Sequence, residues 1–340
     1  MPLKLFTSIP LIIFASAPCV LCVQCVLCVF SFAADAQPQS TYPAYPSRPV
    51  RVIVGFPPGS GTDMIARFTG NKLTERLGQQ VVVDNRPGAN GIIAAELVAK
   101  AAPDGHTLLA MSISHTMNAA VYKLPFDAMK SFTPITQLGA GPLVLVANMS
   151  FPANNVKTLI ELAAAKPNTI TYAISGTGGI NHFAGGLFSR ITGVRLVNVP
   201  YKGGAQALTD LIGGQVQIMF GTAAITLSQI RAGRMKPLGV STPKRSALLP
   251  EVPTLAESGA PGYEMNTWWG VLGPAGIPAA VVARLHGDIA ALLGQADSAK
   301  RLEAEGALPS PLPSADFARL LGGEIEKWTR VACDANIKVE

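Results

Sequence analysis

VIVGFPPGSGTDMIARF, residues 52–68, sets a β-branched apolar run against a Gly/Pro loop that gives way at Thr62 and Asp63 to a helical period. Val52, Ile53 and Val54 have the unbroken apolar character of a buried strand, and Ile65, Phe68, Leu73 and Leu77 fall near one helical face. A strand-to-helix junction of this kind exposes backbone N–H groups at the helix start, where the macrodipole also favours negative charge. Gly59 and Gly61 let a ligand approach the backbone, and Ser60 and Thr62 add hydroxyl donors. Asp63 is expected to cap the helix or orient the loop. Its carboxylate would repel a bound anion unless its charge were spent on backbone donors.

Working outward, the same alternation of strand and helix repeats. VRVIVGF, QVVVDN and HTLLAMSI read as strands separated by helical periods, and a second series runs from PLVLVANM at 142–149 to QVQIMFG at 215–221. This βαβ grammar predicts parallel sheet with right-handed crossovers. At 340 residues, 49% of them hydrophobic and 14% charged, the chain exceeds the size at which a single core stops growing, so two globular domains are expected. The fold class is α/β, with two doubly wound domains. Residues 37–141 together with 254–340 form the first, which the second, 142–253, interrupts. The C-terminal part is helical and is expected to cover the first domain. Two crossings between domains are the wiring of a hinged clamshell with a ligand cleft between its lobes.

The strand–loop–helix device recurs in ITYAISGTGGINHFAGGLF, residues 170–188. Ser175 and Thr177 offer hydroxyls, Gly176, Gly178 and Gly179 leave the backbone bare, and Asn181 or His182 opens the helix. Two such loops at the carboxyl ends of strands would face one another across a cleft, where open α/β sheets bind ligands. Alone, either loop reads first as a tight turn, and it is the pairing of the two that points to a ligand. Neither is a nucleotide fingerprint: GTGGIN lacks the third Gly of G-x-G-x-x-G, and no G-x-x-x-x-G-K-[ST] occurs. Of the four histidines, His115 and His182 follow strand ends, whereas His106 reads as a turn residue and His286 as a surface helix residue. No H-E-x-x-H pair or G-x-S-x-G elbow is present, so no catalytic residue is expected, and neither is a metal or cofactor. Tyr201 and Lys202 precede a further helix start. NTWWGVLGP, 266–274, with two of the three tryptophans, reads as core or as a cleft wall.

Residues 1–36 read as a secretory signal: Lys4, an apolar stretch over 9–32, and Ala34-Asp35-Ala36 as a cleavage site. The apolar stretch is also long enough for an uncleaved membrane anchor. Cys19, Cys22, Cys25 and Cys28 lie inside it, so their C-x-x-C spacing is not read as a metal site, and cleavage leaves Cys333 as a lone thiol. The formal charge of +6 survives cleavage, which removes one Lys and one Asp. It is spread along the chain without a basic, aromatic-interleaved run, so nucleic-acid binding is excluded as an expectation and an anionic small ligand suits it better.

YPSRPVRVIVGFPPGSGTDMIAR, VVVDNRPGANGIIAAELVAKAAPDGHTLL, VPYKGGAQALTDLIGGQVQIMF and LGVSTPKRSALLPEVPTLAESG, in that order, resemble the Bug family, the extracytoplasmic solute-binding subunits of tripartite tricarboxylate transporters. The likeness covers nearly all of the chain after residue 36. It implies a periplasmic, monomeric Venus-flytrap receptor that is not an enzyme, closes on a small carboxylate and delivers it to membrane permease subunits. It also implies that the carboxylate is held by Phe56, Pro57, Gly59, Ser60, Gly61, Thr62 and Asp63 from one loop and by Ser175 to His182 from the other, with Gly221 nearby; His115 and Tyr201, singled out by their places beside strand ends and a helix start, are further candidates. The family's PFPPGGGTD stands here as GFPPGSGTD, so Gly55 and Ser60 depart from it. Gly221 and Gly186 occupy positions that are often acidic in the family, which implies a plain carboxylate over an amino acid. On sequence alone a ligand-sensing receptor for a two-component partner, a secreted hydrolase and an anchored protein stay open.

Overall fold

The computed structural model describes residues 45–201, 203–304 and 306–339. Residues 1–36, expected to be a secretory signal, with their four cysteines, and Lys202 lie outside them. Strand β1 (Val50–Val54) is the centre of the first parallel layer, with β2 (Val81–Asn85) on one side and β3 (Thr107–Ser112) on the other. Helix α1 (Gly61–Leu77) follows β1, α2 (Ile92–Ala99) follows β2, and α3 (Ser114–Val121) follows β3. The start of α1 is fixed by Ser60, whose Oγ accepts the Asp63 N–H, and its end by Gly78 in the left-handed region at φ 65°. Buried Ile65, Leu73 and Leu77 turn one face of α1 inward, as their spacing predicts.

The second parallel group is β7 (Ile218–Thr222), β5 (Thr171–Ile174) and β6 (Val197–Pro200), in that order. Helix α4 (Val156–Ala165) precedes β5, α5 (Ile180–Thr192) joins β5 to β6, α6 (Gly204–Ile212) joins β6 to β7, and α7 (Ala223–Arg231) leads to β8 (Met235–Val240).

The sheet that unites them is mixed, which corrects the expectation of parallel strands throughout. Strand order is β2-β1-β3-β9-β4-β7-β5-β6, with β8 and the short β10 (Leu308–Pro309) also paired to β4. The antiparallel centre comes from two strands whose patterns hide them. Strand β9 (Asn266–Pro274) is the NTWWGVLGP segment, which shows no alternation because it is buried almost throughout between β3 and β4. Strand β4 runs from Phe132 to Asn148, ten residues ahead of the expected start at 142. Its leading part pairs with β9 and β10 and its trailing part with β7 and β8, and register shifts at Pro134/Thr136 and Gln137/Gly139 bend it on the way.

The remaining helices are α8 (Ala279–Leu293), α9 (Ala296–Ala304) and α10 (Ser314–Asp334). Helix α10 packs on α3, β4 and α5 together. Its Phe317 meets Trp268 of β9 edge-on at 5.8 Å between ring centres, and its Trp328, fully buried, meets Phe183 of α5 at 5.6 Å. Among the described residues no helix is long and apolar enough to cross a membrane.

Candidate functional site

The first Gly loop leaves β1 at its carboxyl end and enters α1, and its shape is set by Asp63. The Asp63 carboxylate, with its side chain 2% exposed, accepts the Gly59 N–H at 2.9 Å, the Asn85 amide at 2.8 Å and the Arg67 guanidinium at 3.0–3.1 Å. Burial pushes its pKa up, but the Gly59, Arg67 and Asn85 donors together outweigh it and hold the carboxyl below the usual carboxylate range. The charge is therefore already spent inside the protein, which removes the repulsion that an anion at this loop would otherwise meet. Asn85 also donates to the Phe56 carbonyl at 3.0 Å, so one side chain from β2 ties both ends of the loop.

A count of donors shows which backbone groups remain. Ser60 N–H goes to Pro57 O at 3.2 Å, Asp63 N–H to Ser60 Oγ at 3.3 Å, and Met64 N–H to Ser60 O at 2.9 Å. Gly61 and Thr62 stand in the first turn of α1, where N–H groups have no intrahelical acceptor. Gly61 is pressed close to Trp269 of β9: a β-carbon there would lie 3.5 Å from the indole ring. Gly59 at φ 82° has open space where its side chain would be.

Phe56 and His115 line one small cavity of about 20 Å³ at the carboxyl ends of β1 and β3, together with Asn90, Ser112, Ser114 and Asn118. That is room for about one water-sized group, between these polar side chains and an apolar wall of Ala95, Leu109 and Met111. Its rim is built on a left-handed run, Ala89, Asn90 and Gly91 at φ 45°, 53° and 92°, fixed by reciprocal bonds: Asn90 Nδ2 to Asn118 Oδ1 at 2.8 Å and Asn118 Nδ2 to Asn90 O at 3.0 Å. The room for this rim comes from Gly55, where a β-carbon would strike the Gly91 Cα at 2.6 Å. The departure from the family pattern at Gly55 thus has a packing reason. Burial lowers the pKa of His115, and its Nε2–H donates to Ala128 O at 2.9 Å, so it stands neutral with Nδ1 as an acceptor.

The second Gly loop leaves β5 and enters α5. Ser175 Oγ donates to Asn181 Oδ1 at 2.6 Å, and the Asn181 amide in turn donates to Phe220 O on β7, next to Gly221. Tyr201, just beyond β6, donates its N–H to Ile174 O at 2.9 Å. The structure thus brings Ser175, Asn181, Tyr201 and Gly221 together at the carboxyl ends of β5, β6 and β7. The Tyr201 phenol is engaged with Asp210, and burial, ahead of that carboxylate, raises its pKa. At Gly221 a β-carbon would come within 2.5 Å of Thr226 Cγ2. Gly178 N–H goes to His182 Nδ1 at 3.3 Å and Gly179 N–H to Gly176 O at 3.2 Å, while Ile180 and Asn181 occupy the unpaired first turn of α5. Gly176 and Thr177 sit at the open tip of the loop.

Helix α3 connects the two loops. Its first residues, Ser114 and His115, line the cavity beside Phe56, and Val121 and Tyr122 at its far end lie 3.5 and 3.8 Å from where a Gly178 β-carbon would be. The segment after α10 also reaches the second loop: Ala335 and Ile337 fill the space a side chain at Gly186 would need, and Val339 stands 2.9 Å from the Gly178 position. Asn85, Asn118, Tyr122 and Val339 had no local sequence signal, since each acts on a loop far away in the chain, whereas Trp269 lies in the stretch read as core or as a cleft wall. Among the described residues no group of three or more His, Cys, Asp or Glu side chains is placed to hold a metal ion.

The comparisons with known proteins agree with this architecture. Residues 65–337 match the family model described as "Tripartite tricarboxylate transporter family receptor". The chain is 32% identical to BugT of Bordetella pertussis over 294 residues, covering 86% of this chain and 90% of that protein. An R. palustris protein solved with adipate is 37% identical, covers 86% of this chain and 99% of its own, and superposes with a TM-score of 0.78. The periplasmic binding protein BugD is similar at 33% identity and a TM-score of 0.74, with 87% and 100% covered. MatC from Rhodopseudomonas palustris, with bound malate, shows 32% identity and 0.73, with 84% and 99% covered. The mixed α/β sheet is thus a two-lobed periplasmic-binding-protein fold, and the chain belongs to the tripartite tricarboxylate transporter receptor family, the TctC or Bug solute-binding proteins.

Proposed function

We propose that this receptor captures a small carboxylate between its two lobes in the periplasm and hands it to the permease subunits of a tripartite transporter. The observation that carries the reading is the pair of strand-to-helix loops with N–H groups left over at the starts of α1 and α5, one of them cleared of competing charge because Asp63 is fully partnered. In this reading Gly61 and Thr62 receive the carboxylate on one side. The backbone N–H groups of Thr177 and Ile180 receive it, or a second carboxylate, on the other. The ligands of the R. palustris protein and MatC, adipate and malate, support the same chemistry here.

Residues 37–141 with 254–340 make one lobe and 142–253 the other, and the receptor works as a monomer without covalent chemistry. Its mechanism is a population shift, since a solute that bridges both lobes favours the closed form only to the extent that it binds that form better. A lack of side-chain carboxylate at Gly221 favours solutes without an amino group.

A thermal-shift screen of the mature protein against adipate, malate, citrate, aspartate and a neutral sugar tests this. A solute at 100 times its dissociation constant stabilises the native state by about 2.7 kcal/mol, which raises the melting temperature by about 5 °C or more. A shift with carboxylates and none with the sugar supports the reading. No shift with any carboxylate, after bound solute is removed by partial unfolding and dialysis, refutes it. Uptake assays in cells lacking the permease decide between transport and a ligand-sensing role.

A further inference from the structure

We infer that His182 is a positioning residue of the ligand site: it holds the second Gly loop in its binding shape through the Gly178 N–H and leaves the solute to other groups. The inference rests on the carboxylate-receptor reading above.

The geometry starts at Gly178, buried and left-handed at φ 73°. Its N–H meets His182 Nδ1 at 3.3 Å. Accepting at Nδ1 puts the proton of the neutral ring on Nε2, which stands 3.4 Å from Asn198 Nδ2; with that tautomer the Asn198 amide is assigned in its flipped orientation, so that its oxygen accepts. The Tyr172 phenol lies beside the same Asn198 amide, which offsets part of the rise that burial gives its pKa. A chain of polar contacts therefore runs from the loop through α5 to β6 and β5, the two strands whose carboxyl ends carry Tyr201 and Ser175. Both ring nitrogens are engaged and the residue is 9% exposed, so neither nitrogen is left to meet a solute. On the opposite side the loop is walled by Val339, Val121 and Tyr122. His182 supplies the one polar anchor of the Gly178 N–H in this arrangement, and without it the glycine-rich tip samples other shapes. A receptor whose loop is only partly populated in the binding shape loses affinity by that fraction.

The anchor works only with a neutral ring, because a protonated imidazole would turn an N–H toward the Gly178 N–H. The charged and titratable groups that share the surrounding groove are Tyr172 of β5, Arg190 of α5, Arg195 before β6 and Asp334 of α10, with Arg190 and Asp334 paired at 2.8 Å. Burial lowers the pKa of His182, so the neutral form is kept at pH 7.

The test compares wild type with His182→Asn, whose Oδ1 can stand in for Nδ1, and with His182→Phe, which keeps the ring and lacks the acceptor. Adipate and malate are the probes. Losing one such hydrogen bond weakens binding by about fivefold to tenfold in His182→Phe, and His182→Asn recovers most of it. Amide exchange in ligand-free protein reads the anchor directly: the peptide over 174–182 exchanges faster in His182→Phe and at the wild-type rate in His182→Asn. The affinity of wild type relative to His182→Asn falls as the pH drops below the ordinary histidine range. Taking the ratio cancels titration of the probe and of His115. Equal exchange in all three proteins overturns the inference whether or not a probe binds, and faster exchange with unchanged affinity overturns the role in binding. If neither probe binds wild type yet exchange follows the expected order, the anchor stands and the choice of solute class is what fails.

Discussion

Replacing Asp63 tests how the first loop is built. Its carboxylate is 2% exposed and takes three donors, the Gly59 N–H, the Asn85 amide and the Arg67 guanidinium. Hydrogen bonds to a charged group contribute about 1.5–3 kcal/mol each. The Arg67 pair is discounted to under about 1 kcal/mol because that guanidinium is 46% exposed. After the freed donors recover part of their hydration, Asp63→Ala should cost about 3–4 kcal/mol, or about 5–7 °C in melting temperature for a unit of this size. Asp63→Asn is the sharper variant. It keeps the size and one acceptor for Gly59, but its NH2 faces the Asn85 amide or Arg67, donor against donor, so it should lose about 2 kcal/mol or more. Calorimetric melts at pH 7 measure both. An Asp63→Asn protein that melts within about 1 °C of wild type would show that the carboxylate charge is not what holds the loop. The pH dependence gives a second reading. The folded pKa of Asp63 is depressed, so its stabilisation is complete above the unfolded value of about 3.9 and is lost as pH falls through the folded one. Wild type should therefore lose stability more steeply than Asp63→Asn below about pH 4.

Further variants probe the loop contacts and the frame. Gly61→Val should abolish carboxylate binding with little loss of fold, because its branches extend from a β-carbon only 3.5 Å from Trp269 into the approach to the α1 N–H groups; unchanged adipate affinity would remove Gly61 from the site. Trp269 should report ligand by a change in intrinsic fluorescence that disappears in Trp269→Phe, and a change that persists there would place the reporter elsewhere. Trp328→Ala should cost about 3–5 kcal/mol by denaturant unfolding, since the fully buried ring packs on Phe183 and its Nε1–H donates to Glu324 at 2.7 Å. A loss under about 1 kcal/mol would mean that α10 contributes little where it meets α5.

Much of the frame was legible from local pattern. The strand–Gly loop–helix junctions at 52–68 and 170–188 are where the residue order places them, because a β-branched run, a Gly-rich turn and a 3.6-residue period each leave a mark within a few positions. The helix at Ala279–Leu293 carries its period openly, in the C-terminal part that reads as helical. Strand β9 and the leading part of β4 were not legible as strands. A strand buried on both faces has no alternation to show, and Trp268 and Trp269 read only as apolar bulk.

By itself the sequence determined the local chemistry of this receptor: two bare-backbone turns, hydroxyls beside them, and an acid at Asp63 in the first turn of the helix that follows. Tertiary structure decided what that chemistry amounts to. Asp63 is held by a hydrogen bond from Asn85, 22 residues away, Gly55 makes room for the left-handed turn at Gly91, and Gly178 is walled by Val339 from the other end of the chain. The reason is that propensity and period act over a few neighbouring residues. Spending a charge or closing a gap depends on which distant strands and helices the core brings into contact.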